Sequence, residues 1–219
     1  MNSKANAQPI EARLLAELDE PMAAGLYELR NGSQIRRMGR ALKRYAERVT
    51  AMPAATDMLY PSGPANLWNL NGSAIGVHYS SGISVNAQLL RDKINRQMPD
   101  GREKNVAFGV AGDLENMGLN PMSNRFCVGG RGYTHSILDY RRILTDGLPK
   151  YGRRISEKLA SVADPEKRDF YLACQEAFEA VMLMLKKAAD ACEAGPLQTA
   201  LKAAAERPPE TFYEAIVLF

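Results

Sequence analysis

The fold of this chain is decided by a long stretch in its second half, residues 165–194, which reads PEKRDFYLACQEAFEAVMLMLKKAADACEA. Asp164 precedes it as a helix N-cap, Pro165 takes the first helical position, where its missing N–H costs nothing, and Gly195 follows it. Apolar residues recur at steps of three or four, which predicts one helix spanning roughly 45 Å at about 1.5 Å per residue. The expected apolar stripe consists of Phe170, Cys174, Phe178, Val181, Met182, Leu185, Ala189 and Cys192. We therefore expect a mainly α fold with this helix as its spine.

A second helical signal lies upstream, in GYTHSILDYRRILTDGL at residues 132–148. Ser136 and Asp139 form a capping box, which predicts a helix starting near Ile137, and Gly147 supplies a left-handed stop. His135 stands directly before this start, where unpaired N–H groups and the helix dipole attract anions and polar oxygens. An imidazole there adds a titratable donor, so His135 is the candidate binding residue.

The last residues, RPPETFYEAIVLF at 207–219, predict a further helix. Thr211 and Glu214 form another capping box, and Phe212, Ile216 and Phe219 begin an apolar stripe. The chain then stops without a glycine, a basic last turn or a polar tail. We expect it to be truncated at its C-terminus as a piece of a longer polypeptide, or to be covered there by a second chain.

A basic helix is predicted over residues 33–52. Its apolar face repeats every three or four residues, and six cations lie opposite: Arg36, Arg37, Arg40, Lys43, Arg44 and Arg48. These cations could track a phosphate backbone, or they could be solvated or paired with acids elsewhere in the fold. No aromatic side chains interleave for stacking and no binding motif follows, so we prefer the second interpretation.

Residues 53–131 are rich in Pro, Gly, Asn and Ser, and only short segments such as Ala87–Gln97 are predicted to be helical. We expect irregular segments that wrap around something larger. His78 lies here without ligand-type neighbours at metal spacing, so a structural or surface role is expected for it.

The composition excludes several classes of protein. The 219 residues are enough for one large or two small domains, and no apolar run is long enough to cross a bilayer. The N-terminal residues lack a secretory apolar core, and three widely spaced cysteines give neither a disulfide framework nor a C-x-x-C metal pair, so we expect a cytoplasmic protein. A net charge of +3 is too small to imply a nucleic-acid partner.

The remaining reactive groups have ordinary explanations. Cys174 and Cys192 fall on the apolar stripe without a histidine or metal-ligand spacing, so they are expected to be small buried hydrophobes. The stretch GGRGYTH is not a nucleotide-binding loop, because His135 replaces its third glycine and no Gly-Lys-Ser/Thr follows.

Three stretches together resemble a known family. FYLACQEAFEAVMLMLKKAADACEA followed by ERPPETFYEAIVLF is similar to the long helix and the P-x-x-TF-x-EA segment of glycyl radical enzymes, the pyruvate formate-lyase superfamily. THSILDYRRILTDGL resembles the segment in which a GH- or GR-type dipeptide precedes a helix with a DY pattern. The order of the three matches the family, and the resemblance covers the second half of the chain.

The resemblance implies the helical N-terminal portion of an α/β barrel, with few strands. In this family an active-site cysteine carries a thiyl radical generated by a glycyl radical, and both lie downstream of the residues present here. Cys127 lies too early in the chain, and Gly130–Tyr133 lacks residues of the radical loop. The chain also departs from the family at Val217, where relatives often carry glutamine.

The whole chain, 1–219, is thus expected to be the N-terminal part of a pyruvate formate-lyase-like domain, helical over 1–52, irregular over 53–131 and helical over 132–219. The resemblance implies that His135 binds a substrate carboxylate or hydroxyl, as histidine does in dehydratase-like members where pyruvate formate-lyase uses arginine. No catalytic residue or metal ligand is expected in this chain.

The resemblance further implies an anaerobic lyase, a dehydratase or formate acetyltransferase-like enzyme that is incomplete without its other parts. A radical S-adenosylmethionine activating enzyme would install the glycyl radical, and the complete enzyme would be a homodimer without nucleic-acid or membrane partners. Two alternatives remain open: His135 could satisfy a backbone carbonyl, and the chain could be a non-catalytic helical interaction module.

Overall fold

The computed structural model of the chain describes residues 8–51, 74–78, 82–116 and 139–218. Helices dominate these residues, as predicted. In chain order the helices and strands are α1 (Ile10–Glu17), α2 (Pro21–Glu28), α3 (Gln34–Arg48), β1 (Ile75–His78), β2 (Gly82–Val85), α4 (Ala87–Gln97), α5 (Arg102–Asn116), α6 (Tyr140–Ser161), α7 (Pro165–Ala191), α8 (Pro196–Glu206) and α9 (Phe212–Leu218). The chain divides into two units, the first from residues 1–44 and 70–135 and the second from residues 45–69 and 136–219.

The first unit packs α1 against α2 and α5, and α4 against α5. Its core is built from aliphatic side chains that are less than 2% exposed: Leu14, Leu15, Met22, Leu26, Leu90, Ile94 and Leu114. Strands β1 and β2 form an antiparallel pair in which Ile75 is paired with Val85 and His78 with Gly82 in the backbone register. This pair is the one sheet among the described residues, which agrees with the predicted scarcity of strands.

A buried ion pair joins distant parts of the first unit. The carboxylate of Glu20, fully buried, accepts the Ala74 N–H at 2.8 and 2.9 Å. The ammonium of Lys93 in α4 lies 2.5 Å from the same carboxylate and also donates to the Leu18 carbonyl at 3.3 Å. These bonds connect the turn before α2 with α4 and with the residue before β1.

The second unit packs α7 against α6 and α8, and α8 against α9. A cluster of Ala188, Ala189, Cys192, Leu197 and Leu201 forms part of its core. Lys187 of α7 donates to the carbonyls of Ala46, Glu47 and Val49 at 2.7, 2.8 and 2.6 Å, and so satisfies backbone acceptors at the end of α3.

The long helix occurs as predicted, but its buried face differs in part from the predicted stripe. Asp164 caps α7 by accepting the Lys167 N–H at 2.8 Å, and Pro165 begins the helix. Phe170 and Val181 are 47% and 49% exposed, whereas Ala173, Ala180 and Ala188 are at most 5% exposed. Small side chains on the buried face let neighbouring helices approach closely. A prediction based on the positions of large apolar residues does not identify such a face.

The prediction that residues 53–131 are irregular is wrong for the described part of this region. Strands β1 and β2, helix α4 and helix α5 all lie in it. Helix α4 was expected, but α5 was not, because Gly109 and Gly112 lower its helix propensity. Its buried positions, Ala107, Val110, Ala111 and Leu114, still follow the helical repeat.

Candidate functional site

The predicted binding residue, His135, lies outside the described residues. The same holds for Ser136, for Cys127 and for the GGRGYTH stretch. His78 lies in β1, where the structure describes the backbone. The described elements that follow His135 in sequence are α6 to α9, which contain most of the residues that resemble the glycyl radical enzymes.

The start of α6 is capped by Asp139. The Asp139 side chain accepts the Arg142 N–H at 3.1 Å, and the helix begins at Tyr140 instead of near Ile137 as predicted. The reason is chemical, because an aspartate is as good an N-cap as a serine and either could start this helix. The first residue of the helix is accessible to solvent, since Tyr140 is 49% exposed.

Helix α6 is broken at the glycine that was predicted to stop it. Gly147 has φ 67° and ψ 169°, and Pro149 follows as the helical path resumes. A side-chain Cβ at Gly147 would lie 2.7 Å from the Pro208 nitrogen, so the break lies directly against the segment that follows α8. The prediction of a left-handed glycine is confirmed, but the chain turns there and continues as helix.

An aspartate joins the two halves of the broken helix. Asp146 stands before the break, and its carboxylate lies 2.7 Å from Lys150 and 2.8 Å from Arg154, both after the break. The bond from Lys150 lowers the pKa of Asp146 despite partial desolvation, and the nearby guanidinium of Arg154 adds to this. This cluster was not predicted, although an acid followed by cations at i+4 and i+8 is a spacing that could have revealed it.

The segment after α8 is held by a forked ion pair. Arg207 donates to the two carboxylate oxygens of Glu214 at 2.7 and 2.8 Å, and Glu214 also accepts the Glu210 N–H at 2.7 Å. These bonds, with a further backbone bond at Thr211, lower the pKa of Glu214 to about 2. Thr211 in turn accepts the Glu214 N–H at 3.1 Å, which confirms the predicted capping box.

Neither described cysteine has the environment of a reactive thiol. Cys192 is buried in the core cluster and Cys174 is partly buried. Burial raises the pKa of both thiols, which favours the protonated form and opposes nucleophilic character. The prediction that both act as small hydrophobes agrees with these positions.

The basic helix predicted over residues 33–52 occurs as α3, and two of its cations are partners for an acid. Arg40 lies 2.8 Å and Arg44 2.7 Å from the carboxylate of Glu28. This agrees with the preferred interpretation of pairing within the fold.

Two kinds of feature are absent from the described residues. Within them, no three His, Cys, Asp or Glu side chains are gathered as metal ligands would be. The part of the chain that the structure describes also contains no helix long and apolar enough to cross a bilayer. What the second unit does provide is a broken helix whose turn is held by Asp146 on one side and by the Arg207–Glu214 segment on the other.

A comparison with known protein families found one match. The model of a family described as pyruvate formate lyase-like matches residues 104–219, which begin in α5 and include His135, the broken helix α6 and the Arg207–Glu214 ion pair. No curated protein matches the chain. No solved structure matches it either.

Proposed function

Because this chain belongs to the pyruvate formate lyase-like family, we propose that it is the N-terminal part of a glycyl radical enzyme. In this proposal its second unit is scaffold, and His135 contributes to the substrate cavity. The single observation that carries the proposal is the family match over residues 104–219. It extends over all three stretches whose likeness to these enzymes was noted from the sequence.

The scaffold role is supported by the bonds around the break in α6. Gly147 allows the chain to turn, Asp146 joins the two helical parts, and Pro208 lies against the turn. A hydrogen-abstracting radical enzyme has to hold its substrate within fractions of an ångström. Because Asp146 and Pro208 hold the break in α6 in place, the helix can serve as a rigid support for the residues that precede it, which include His135.

His135 is proposed to orient the substrate. In sequence it stands a few residues before Asp139, the cap of α6. A donor near a helix start binds a carboxylate or hydroxyl oxygen well, because the positive end of the helix favours the same groups. A histidine here favours a dehydratase-like substrate over the formate acetyltransferase reaction, where the family uses arginine.

The radical-bearing parts are proposed to lie beyond Phe219. Cys174 and Cys192 fall in the segment that resembles the family's long helix, which precedes the catalytic cysteine in these enzymes, and the glycine-containing stretch at 130–133 lacks residues of the radical loop. A radical S-adenosylmethionine enzyme would install the glycyl radical, and the complete enzyme would be a cytoplasmic homodimer.

Sequencing the transcript beyond the codon for Phe219 tests this proposal most directly. We expect an open reading frame that encodes a cysteine loop and, near its end, a glycyl radical loop. Incubating the 219-residue chain anaerobically with an activating enzyme and S-adenosylmethionine should give no glycyl radical signal in electron paramagnetic resonance. A stop codon after Phe219 with no partner gene for either loop would favour the non-catalytic interaction module instead.

The substrate role of His135 is tested in the complete enzyme. His135→Ala should lower kcat/KM by roughly a hundredfold, because a substrate that is misplaced by about 1 Å reacts that much more slowly. The amount of glycyl radical per subunit should not change, and His78→Ala is the matched control. If His135→Ala lowers the unfolding temperature while the folded fraction keeps its specific activity, His135 is structural.

A further inference from the structure

The first unit contains a cleft of about 740 Å³ that precedes the family-matched residues in sequence. Its walls come from the residues before α1, from the end of α2 and the turn that follows it, and from α3. The polar and charged side chains among them are Gln8, Glu28, Arg30, Asn31, Arg40 and Arg44. Nothing in the proposed function assigns a role to it.

Glu28 anchors two of the arginines in this cleft. Arg44 binds its carboxylate through two nitrogens, Nε at 2.7 Å and Nη2 at 3.0 Å, and Arg40 binds it through Nη1 at 2.8 Å. The Glu28 side chain is 9% exposed, whereas Arg40 and Arg44 are 26% and 37% exposed. The carboxylate is thus covered, and the two guanidinium groups are what an entering ligand meets.

The anchoring has an energetic consequence for binding. A free arginine side chain loses much of its conformational freedom when a ligand fixes it. Here Glu28 has already fixed two guanidinium groups, one helical turn apart on α3, before any ligand arrives. Such preorganisation raises affinity by lowering the entropy that binding would otherwise lose.

The charge balance favours an anion. The lining includes one anion, Glu28, and three cations, Arg30, Arg40 and Arg44. A second carboxylate, that of Glu11, lies 2.5 Å from Arg30. Counting both acids, this set keeps one positive charge, and α3 adds Arg36, Arg37 and Lys43 nearby in the chain. The planar fork of a guanidinium matches the oxygens of a phosphate group, and the side-chain amides of Asn31 and Gln8 offer further donors.

The shape of the cleft separates a small ligand from a nucleic acid. Its volume falls in the range of about 300–1,000 Å³ that is typical of small-molecule sites. Single-stranded nucleic acids need aromatic platforms for their bases, and none of the described residues that line this cleft is aromatic. We propose that the cleft formed by Arg30, Arg40 and Arg44 binds a small molecule that carries a dianionic phosphate group.

Isothermal titration calorimetry of the full chain tests this, with inorganic phosphate and glycerol 3-phosphate as probes and glycerol as the phosphate-free control. Both phosphates should bind at low ionic strength, more weakly as sodium chloride is added, and glycerol should not bind. Arg44→Gln should weaken phosphate binding by about tenfold to a hundredfold, the range for a charge-assisted hydrogen bond. Arg91→Gln, which removes a surface arginine paired with Glu115 in the same unit, should leave binding unchanged.

Glu28→Gln tests the anchoring itself. If only net charge mattered, removing this negative charge would tighten phosphate binding. Because the carboxylate orients Arg40 and Arg44, we expect weaker binding instead, with circular dichroism confirming that the variant is folded. Absence of phosphate binding at millimolar concentration, an equal loss in Arg91→Gln, or much tighter binding of a single-stranded oligonucleotide than of glycerol 3-phosphate would each overturn the proposal. None of these results bears on the assignment to the glycyl radical enzymes.

Discussion

At the scale of single residues, position 147 shows how backbone conformation and packing restrict the same site. Gly147 has φ 67° and ψ 169°, a region of backbone space that is essentially limited to glycine. Pro208 approaches so closely that any Cβ would lie 2.7 Å from its nitrogen. Both constraints exclude other residues, and both arise at the break in α6, where Gly147 lies against Pro208.

Replacing this glycine should therefore destabilise the protein strongly. We expect Gly147→Ala to lower the free energy of unfolding by about 2–4 kcal/mol, from backbone strain and from overlap with Pro208. Gly109→Ala is the matched control, because no described residue outside its own helix lies within 4 Å of the added Cβ. It should stabilise α5 by about 0.5–1 kcal/mol. Urea denaturation measures both variants, and equal effects would contradict the close approach of Pro208.

The ion pair between Arg207 and Glu214 should make stability depend on pH. The pKa of Glu214 is lowered from its ordinary value of 4.5 to about 2 in the folded chain. A lowered folded-state pKa means that the stabilisation is complete above pH 4.5 and is lost as pH falls from about 4.5 towards 2. As pH falls over this range, the unfolding temperature of Glu214→Gln should decrease less than that of the unaltered chain.

Other carboxylates also titrate in this range, so the difference between variants is the quantity to compare. Glu210→Gln serves as the control, because its carboxylate is 70% exposed and lies 3.6 Å from Arg207. It should follow the unaltered chain closely. If Glu214→Gln and Glu210→Gln behave alike, the forked pair contributes nothing specific.

At the scale of secondary structure, α7 depends on its first turn. Its buried face is made largely of alanines, and each alanine buries little apolar area. Capping of its ends therefore contributes a larger share of its stability than it would in a leucine-rich helix. Asp164 satisfies the Lys167 N–H at 2.8 Å, and Pro165 removes one unpaired donor.

Removing this cap should have a measurable cost. We expect Asp164→Ala to lower the free energy of unfolding by about 1 kcal/mol, because the Lys167 N–H loses its acceptor. Asp164→Asn keeps an oxygen at the same place and should lie within a few tenths of a kcal/mol of the unaltered chain. Chemical denaturation followed by circular dichroism at 222 nm compares the two variants. A similar loss in both would assign the effect to charge rather than to capping.

At the scale of the whole molecule, residues far apart in sequence are joined by polar bonds as well as by apolar packing. Glu20 and Lys93 are the main example, together with the Ala74 N–H that the same carboxylate accepts. Both side chains are nearly inaccessible to solvent, at 0% and 10% exposed. A buried pair of this kind gives little net stability, but each member needs the other.

Breaking the pair on one side should be far more costly than removing both charges. We expect Lys93→Met to lower the free energy of unfolding by about 3–5 kcal/mol, because Glu20 is then buried without its cation. The double variant Glu20→Gln with Lys93→Met should recover part of this loss, since no charge remains buried. Lys104→Met is the control, because its partner Asp100 is 96% exposed and remains in water. Urea denaturation checks all three, and a double variant less stable than Lys93→Met would contradict the coupling.

The sequence by itself determined the helices that carry their own local signals. Three local signals could be recognised: Asp164 and Pro165 at the start of α7, the apolar repeat of α3, and the Thr211 and Glu214 capping box of α9. Caps and apolar repeats act within a few residues, so they can be read from the sequence. The glycine break in α6 and the mainly helical character followed from signals of the same kind. The resemblance to the glycyl radical enzymes also came from the sequence, and the family match supports it.

Only the tertiary structure decided which faces are buried and which charges meet. Phe170 and Val181 stay exposed on α7 while alanines pack inward, and α5 forms despite Gly109 and Gly112. The pairing of Glu20 with Lys93 and the anchoring of Arg40 and Arg44 by Glu28 join residues from different elements. The physical reason is that burial and ion pairing depend on neighbours brought close by folding, and no pattern within one helix specifies its neighbours.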